Sequence, residues 1–519
     1  MFIKNKSKSV KQTSYYVLSS DMIRKKVLTE IVRLKGTGIK ARMVNAVMKL
    51  GIGTFVGHGM KFIRRMILAK LLAPSELGIM AIVFSVTIIL EALTEVGVKQ
   101  SVIQNKKGAD DNYLNMAWWM QLVRGLCLYG IAVVAAPWIG SFYEKPELVA
   151  LLRVSFLSIA FRSFVSPRAY VLEKEYKFGW RVILIEGSAV LGSIITIILA
   201  FLMRNVWALV LGFVSESAIL FLFSFLMVPF VPKFKIDRSS LNELLKFARG
   251  IFGLPILTAV SFQAPILILG KLLDDYQVGI YSYAYILAYF PTDLYMRMVA
   301  PVLLPAFSEK QDQKNALCRG IIQATHWTAV TSIPLMAFMV CCGSELLYLI
   351  YKPEYAVMAI PFAVLCMQIV VRNGAIILAG MYLAIGKPHL HRYYSAMRAL
   401  AVALIYPAAI FSGVLGASLA IILSNFLILL MQVIGCRKII GLKLGDYISS
   451  YTSGLLSAVP IIIVFDLLWY FKIDNHMLVL GIGAFVFIVT FAISFLYVNR
   501  QKNYTHKKQV NLTDLEKEA

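Results

Sequence analysis

Apolar stretches of about 20 residues, each long enough to cross a hydrocarbon core as a helix, follow one another from residue 44 almost to the C-terminus. A water-soluble fold has nowhere to bury so many. The composition agrees, with 59% hydrophobic and only 15% charged residues and a mean hydropathy of +0.73. The expected fold class is an all-α polytopic membrane protein with about fourteen transmembrane helices. Their centres fall near Gly57, Phe84, Leu126, Ser158, Ser193 and Leu220, then near Leu257, Phe290, Pro334, Ile369, Ala403 and Leu427. Two more lie near Ile463 and Phe487.

An internal echo organises these spans. Leu68-Ala-Lys70-Leu71-Leu72, running on to Gly78, returns as Leu269-Gly-Lys271-Leu272-Leu273, running on to Gly279, displaced by 201 residues. Six spans separate the copies, and an even number inserts both with the same orientation, so the repeat is parallel. Its axis is expected along the membrane normal, giving two parallel-repeat six-helix lobes beside a shared cavity, plus two C-terminal helices. The expected boundaries are a basic cytoplasmic N-terminal arm at 1–43, an N-lobe at 44–231, a cytoplasmic linker at 232–239, a C-lobe at 240–436, the last two helices at 437–498, and a cytoplasmic tail at 499–519. In the arm, Ile23, Val27, Ile31 and Leu34 recur at helical spacing between cations, a pattern suited to the membrane surface. The polar tail is expected to be disordered.

Lys and Arg collect in the loops after even-numbered spans, for example Lys106, Lys107, Lys174, Lys233, Lys310 and Arg437, which places both termini in the cytoplasm. The net charge of +24 follows from this bias and from the arm, and favours contact with anionic membrane lipids. A nucleic-acid partner is not expected, because the cations are scattered between spans with no binding module. The six cysteines show no metal-ligand spacing and read as small core residues. Most tryptophans lie near span ends, where interfacial anchoring explains them.

Charge inside a bilayer is costly, so intramembrane ionisable residues are the candidate functional groups. The candidate cavity cations are Lys61, Arg64, Arg65, Arg124, Arg162, Arg297, Arg372 and Arg398. His58, Lys61 and Arg65 share one helical stripe, with Arg64 off it. Arg153, half a turn from Arg162 on the same span, is expected at the interface. Glu186, Glu216 and Asp293 are candidates for ion coupling; Asp293 and Arg297, four apart, are expected to pair, whereas Glu216 and Glu186 need a partner on another helix or a proton. Pro255, Pro265, Pro291 and Pro301 are candidate kinks for gating, weighed against static packing of bent helices. The tyrosines Tyr281, Tyr283, Tyr285, Tyr289 and Tyr295 suit helix packing better than sugar stacking. No catalytic constellation, metal site or cofactor is expected; a proton or sodium ion is the candidate coupling ion.

The motif Arg65-x-x-Leu68-Ala-Lys70-Leu-Leu-x-Pro74-Ser-Glu-x-Gly78, followed by Glu95-Val-Gly97, Trp207-Ala-Leu-Val210 and Gly386-Lys-Pro388, resembles the polysaccharide-export branch of the MOP (multidrug/oligosaccharidyl-lipid/polysaccharide) superfamily. That branch holds Wzx-type polysaccharide flippases and colanic- or teichuronic-acid exporters, and the resemblance covers residues 44–498. It implies a transporter, not an enzyme, that flips undecaprenyl-diphosphate-linked oligosaccharide repeat units from the cytoplasmic to the outer leaflet of the bacterial inner membrane by alternating access. The implied partners are that lipid-linked substrate and a polysaccharide polymerase or export component. One departure stands out: Ala264-Pro265 occupies a place where relatives often carry a polar residue. Two other functions fit a polytopic chain less well. An ion-coupled multidrug or organic-cation exporter would favour acids over the cations found here, and a membrane-embedded glycosyl- or acyltransferase would need a catalytic His or Asp cluster that is not evident.

Overall fold

The computed structural model describes residues 39–496, apart from residues 94, 96, 176, 235, 236, 252, 474 and 495. The amphipathic stretch of the arm and the tail from 499 lie outside the described residues. Within them every regular element is helical, as lipid requires of a backbone that must satisfy its own hydrogen bonds.

The first half runs α1 (Ile39–Leu71), α2 (Pro74–Leu93), α3 (Val98–Gln104), α4 (Asp111–Tyr143), α5 (Glu147–Ser155), α6 (Leu157–Ser163), α7 (Arg168–Lys174), α8 (Phe178–Met203) and α9 (Val206–Met227). A short amphipathic helix, α10 (Arg238–Ile251), leads into α11 (Leu254–Leu272), α12 (Asp275–Met298), α13 (Ala300–Ser308), α14 (Lys314–Cys341), α15 (Gly343–Ile350), α16 (Ala359–Cys366), α17 (Gln368–Ala384), α18 (Pro388–Ala401) and α19 (Ile405–Ile440). The chain closes with α20 (Leu444–Ser449), α21 (Thr452–Tyr470) and α22 (His476–Ser494).

Ten helical stretches among the described residues are long and apolar enough to cross a membrane, eleven if one bent pair is a single span. Fourteen segments are reached only by adding α1 and α12, whose charges lower their hydropathy, and by dividing Pro388–Ile440 at its break. That break lies at Ser412 and Gly413, where Gly413 adopts φ +56°, a conformation that residues with a Cβ avoid. The expected fourth span is not one straight helix. Its α5–α6 part and α7 meet at 61°, because Pro167 supplies no N–H to continue the ladder and disfavours helix in the residue before it.

Side chains facing outward are apolar, including Leu202, Phe411 and Trp469 at 77%, 86% and 84% exposure, a surface suited to lipid rather than to water. Cys127 is also exposed, on α4, which corrects its reading as a core residue; Cys342, Cys366 and Cys436 are buried.

α1 packs on α8, α8 on α9, and α2 on both α11 and α12. One buried cluster therefore joins the halves, bringing Leu72, Leu77 and Ile82 against Leu269, Val278 and Ile280. Around it, Lys145 Nζ lies 2.5 Å from Asp275 Oδ1 and Lys271 Nζ 2.7 Å from Glu144 Oε1. Lys352 donates to the Leu72 carbonyl at the end of α1, at 3.3 Å. The two echo segments thus meet and close this end of the bundle. At the start of α10, Asp237 accepts from the hydroxyl and the backbone of Ser240 and from the backbone of Ser239, and the Ser240 hydroxyl, first among these, pulls its carboxyl below the usual range. The helix then docks through Glu243 on Asn105 of the first half, 2.6 Å apart.

Candidate transport site

α1 runs between the halves, and Lys61, Arg64 and Arg65 on it are partly buried. Lys61 Nζ lies 3.3 Å and Arg64 Nη1 3.2 Å from the two carboxylate oxygens of Glu216 on α9. Residues three apart on a helix are only about 60° apart around it, so both long side chains reach one acceptor. The single stripe expected for His58, Lys61 and Arg65 therefore divides. Arg64, set off that stripe, pairs with Glu216, while Arg65, about 100° further round, goes elsewhere.

Arg65 makes no ion pair with an acid among the described residues. It lines a pocket of about 130 Å³ between the halves, with Arg64, Thr196, Phe213, Ser282 and Tyr283. His58 Nδ1 reaches the second half, 3.5 Å from Asp293 Oδ2. The same oxygen lies 3.1 Å from Arg297 Nε, so the expected Asp293–Arg297 pair forms and a histidine from the other half joins it. Phe62 lies tilted beside Phe290, ring centroids 5.3 Å apart.

A second cavity, of about 290 Å³, opens within the first half, where Arg124, Arg162, Glu91, Glu95, Lys99 and Tyr170 contribute to its wall. Arg162 is held by Glu91 at 3.2 Å, by Ser217 Oγ at 3.2 Å and over the ring of Phe213 at 5.8 Å. Arg153 is exposed, on the far side of the same span. Glu173 binds both Lys99 and Arg181 at 2.9 and 2.5 Å, which lines one wall of this cavity with an ion-paired cluster.

Arg372 and Arg398 sit in the second half, away from α1. Arg372 is 6% exposed, donates to Asn425 Oδ1 at 3.4 Å, and lies over the rings of Phe262 and Tyr289. Arg398 Nε is buried without a hydrogen-bond partner. Of the acids, Glu216 finds its partners on another helix, as its lack of same-helix cations requires. Glu186 forms no ion pair among the described residues and lies where a Cβ on Gly57 would strike its carboxylate.

The four prolines divide. Pro265 and Pro291 lie inside helices that continue past them. Pro255 and Pro301 stand instead in the first turn of α11 and α13, where the missing N–H costs no helix bond; Pro255 begins a helix, whereas Pro301 follows the one-residue break at Val299 between α12 and α13. Tyr281, Tyr283 and Tyr285 are buried and pack on aromatic neighbours such as Tyr351, which fits packing. Sequence reasoning missed Ser217, Phe262 and Asn425, whose roles come only from which helices become neighbours.

The protein family described as "Polysaccharide biosynthesis protein" matches residues 67–360. An uncharacterized membrane protein in the cps region of Klebsiella pneumoniae is 22% identical over 444 residues, covering 83% of this chain and 91% of that one. The lipopolysaccharide biosynthesis protein WzxC of Escherichia coli (strain K12) is 19% identical, over 82% of this chain and 87% of its own. Among solved structures, the lipid II flippase MurJ in its inward closed conformation superposes with a TM-score of 0.72 at 14% identity, over 87% of this chain and 99% of that one. At that identity the likeness is one of fold.

Proposed function

We propose, since this chain belongs to the polysaccharide biosynthesis protein family, that it flips undecaprenyl-diphosphate-linked oligosaccharide repeat units across the bacterial inner membrane for cell-surface polysaccharide. The names of its relatives, a lipopolysaccharide biosynthesis protein among them, support a substrate of this class. In this reading both termini are cytoplasmic, the N-lobe (44–231) and C-lobe (240–436) rock about the linker at 232–239, and the end closed by the echo segments is the outer one. A polymerase or export component receives the product.

The observation that carries the proposal is Arg65, an intramembrane guanidinium with no acid partner among the described residues, beside Arg64 in a pocket that both halves line. An uncompensated charge there costs several kcal/mol, and a diphosphate offers paired oxygens that the planar guanidinium binds in a bidentate way. Lys61 and Arg64, paired with Glu216, exchange that carboxylate for phosphate oxygens as the substrate enters. Arg162 and Arg124, in the cavity of the first half, attract the headgroup toward it, and Arg297 lies opposite across the His58–Asp293 contact. Glu186, which forms no ion pair among the described residues, is the acid that takes up a proton in this reading; Pro265 and Pro291 let α11 and α12 flex.

Deletion of the gene tests this directly. Surface polysaccharide disappears and lipid-linked repeat units accumulate in the inner leaflet. Normal surface polysaccharide after deletion refutes the proposal.

A further inference from the structure

We infer that the cavity of the first half reads the sugar next to the diphosphate through its hydroxyls, with Glu95 and Gln100 as specificity-determining residues. The inference rests on the function proposed above and adds a second compartment to it. That cavity and the Arg65 pocket adjoin across α9. Phe213 lines the Arg65 pocket, and Arg162, which lines the first-half cavity, lies over the Phe213 ring at 5.8 Å. One turn further on, consecutive residues hold one cation of each compartment. Glu216 pairs with Arg64 at 3.2 Å, and Ser217 Oγ accepts from Arg162 Nε at 3.2 Å. In a lipid-linked oligosaccharide the first sugar is bonded directly to the diphosphate, so a diphosphate at Arg65 brings that sugar to this boundary.

The two linings differ in kind. The Arg65 pocket sets two guanidiniums among apolar side chains such as Leu68, Met80 and Phe84, which favours a charged ligand that pairs with them. In the first-half cavity three of the four wall cations are already answered by wall carboxylates: Arg162 by Glu91, and Lys99 and Arg181 by Glu173. Each carboxylate oxygen still has a lone pair to offer, and each cation further N–H groups. Sugar hydroxyls both donate and accept, so they complement such a wall without adding charge.

The wall groups differ in how far they are committed. Gln121 is fully used, donating to the Arg162 and Ser163 carbonyls and accepting from Tyr170. Glu95 and Gln100 are exposed and line the cavity, and neither side chain has a hydrogen bond among the described residues. At about 290 Å³ the space lies at the lower limit of ligand cavities, enough for the first sugar rather than a whole oligosaccharide.

The test is equilibrium binding of radiolabelled lipids to the purified full-length chain in detergent. The native undecaprenyl-diphosphate oligosaccharide is compared with the methyl ester of undecaprenyl diphosphate, which keeps the charge and lacks the sugar. Wild type and Arg153→Gln, an exposed control, bind the oligosaccharide lipid on the order of tenfold more tightly. The double variant Glu95→Gln/Gln100→Ala loses most of that preference with its affinity for the methyl ester unchanged, whereas Arg65→Ala weakens both lipids and keeps the ratio. If the double variant does not fold, Glu95→Gln alone is read in the same way. Equal affinity of the wild type for the two lipids, or a preference that survives the substitutions, overturns the inference and leaves the transport function standing. A wild type that binds neither lipid overturns both.

Discussion

Gly78 and Gly279, which correspond under the 201-residue repeat, lie against each other where α2 meets α12. A Cβ on Gly78 would strike the backbone of Asp275 and Gly279, and a Cβ on Gly279 would strike the backbone of Pro74 and Gly78. The residues that match are the residues that touch, so the pseudo-two-fold axis passes between them. Backbone meets backbone there, and neither neighbour can swing aside as a side chain would.

Gly279→Val therefore holds this end apart. With a single cysteine at Ser282, 1% exposed, in a chain whose other cysteines are replaced, a membrane-impermeant maleimide labels the variant on the order of tenfold faster than the parent. That factor corresponds to about 1.4 kcal/mol in the closed–open balance. Equal rates would show that the glycine contact does not set closure.

The pair Glu144–Lys271 gives the same end a pH dependence. The Lys271 ammonium, by hydrogen bond and by charge, holds the Glu144 carboxyl below its ordinary value of 4.5. A carboxyl lowered in the folded chain contributes stability that is present above its unfolded value and is lost as pH falls through the folded one. The difference in Tm between wild type and Glu144→Gln is accordingly constant from neutral pH down to about 5 and vanishes below the ordinary glutamate range. It is small, because the pair is exposed and screened by salt.

Glu216 pairs with two cations at once, so its loss is felt more than the loss of either. Glu216→Ala lowers the stability of the purified protein by roughly 2–4 kcal/mol, while Arg64→Ala costs less because Lys61 remains. In the double variant the two effects are non-additive by about 1–2 kcal/mol, read from unfolding in parallel with membrane abundance. Strict additivity would mean that the 3.2 Å contact carries no coupling.

The helical class, the membrane setting and the repeat were legible because hydropathy and charge bias act locally, within one span or loop. The Asp293–Arg297 pair was legible for the same reason, being one turn apart on one helix. Partners on different helices were not: nothing in the sequence near Arg162 points to Glu91, and nothing near His58 points to Asp293. Stripe geometry also misled at Arg64, since a long side chain reaches across the angle that separates its Cα from the stripe. Pro255 reads as a kink because a proline in an apolar run looks the same whether it bends a helix or begins one. The deciding signal at Pro255 was Gly253 two residues earlier, whose φ of +90° ends the preceding segment.

The central claim is that Arg65, without an acid of its own, takes the diphosphate as it passes between the halves. Its most direct measurement is the rate at which labelled undecaprenyl-diphosphate oligosaccharide crosses vesicles containing the purified chain, compared among wild type, Arg65→Lys and Arg65→Ala of matched Tm. The account predicts that Arg65→Ala slows crossing by roughly ten- to a hundredfold, the loss of a charge-assisted contact of about 1.5–3 kcal/mol, and that Arg65→Lys retains part of the rate. Crossing at the wild-type rate by a folded Arg65→Ala protein would contradict it.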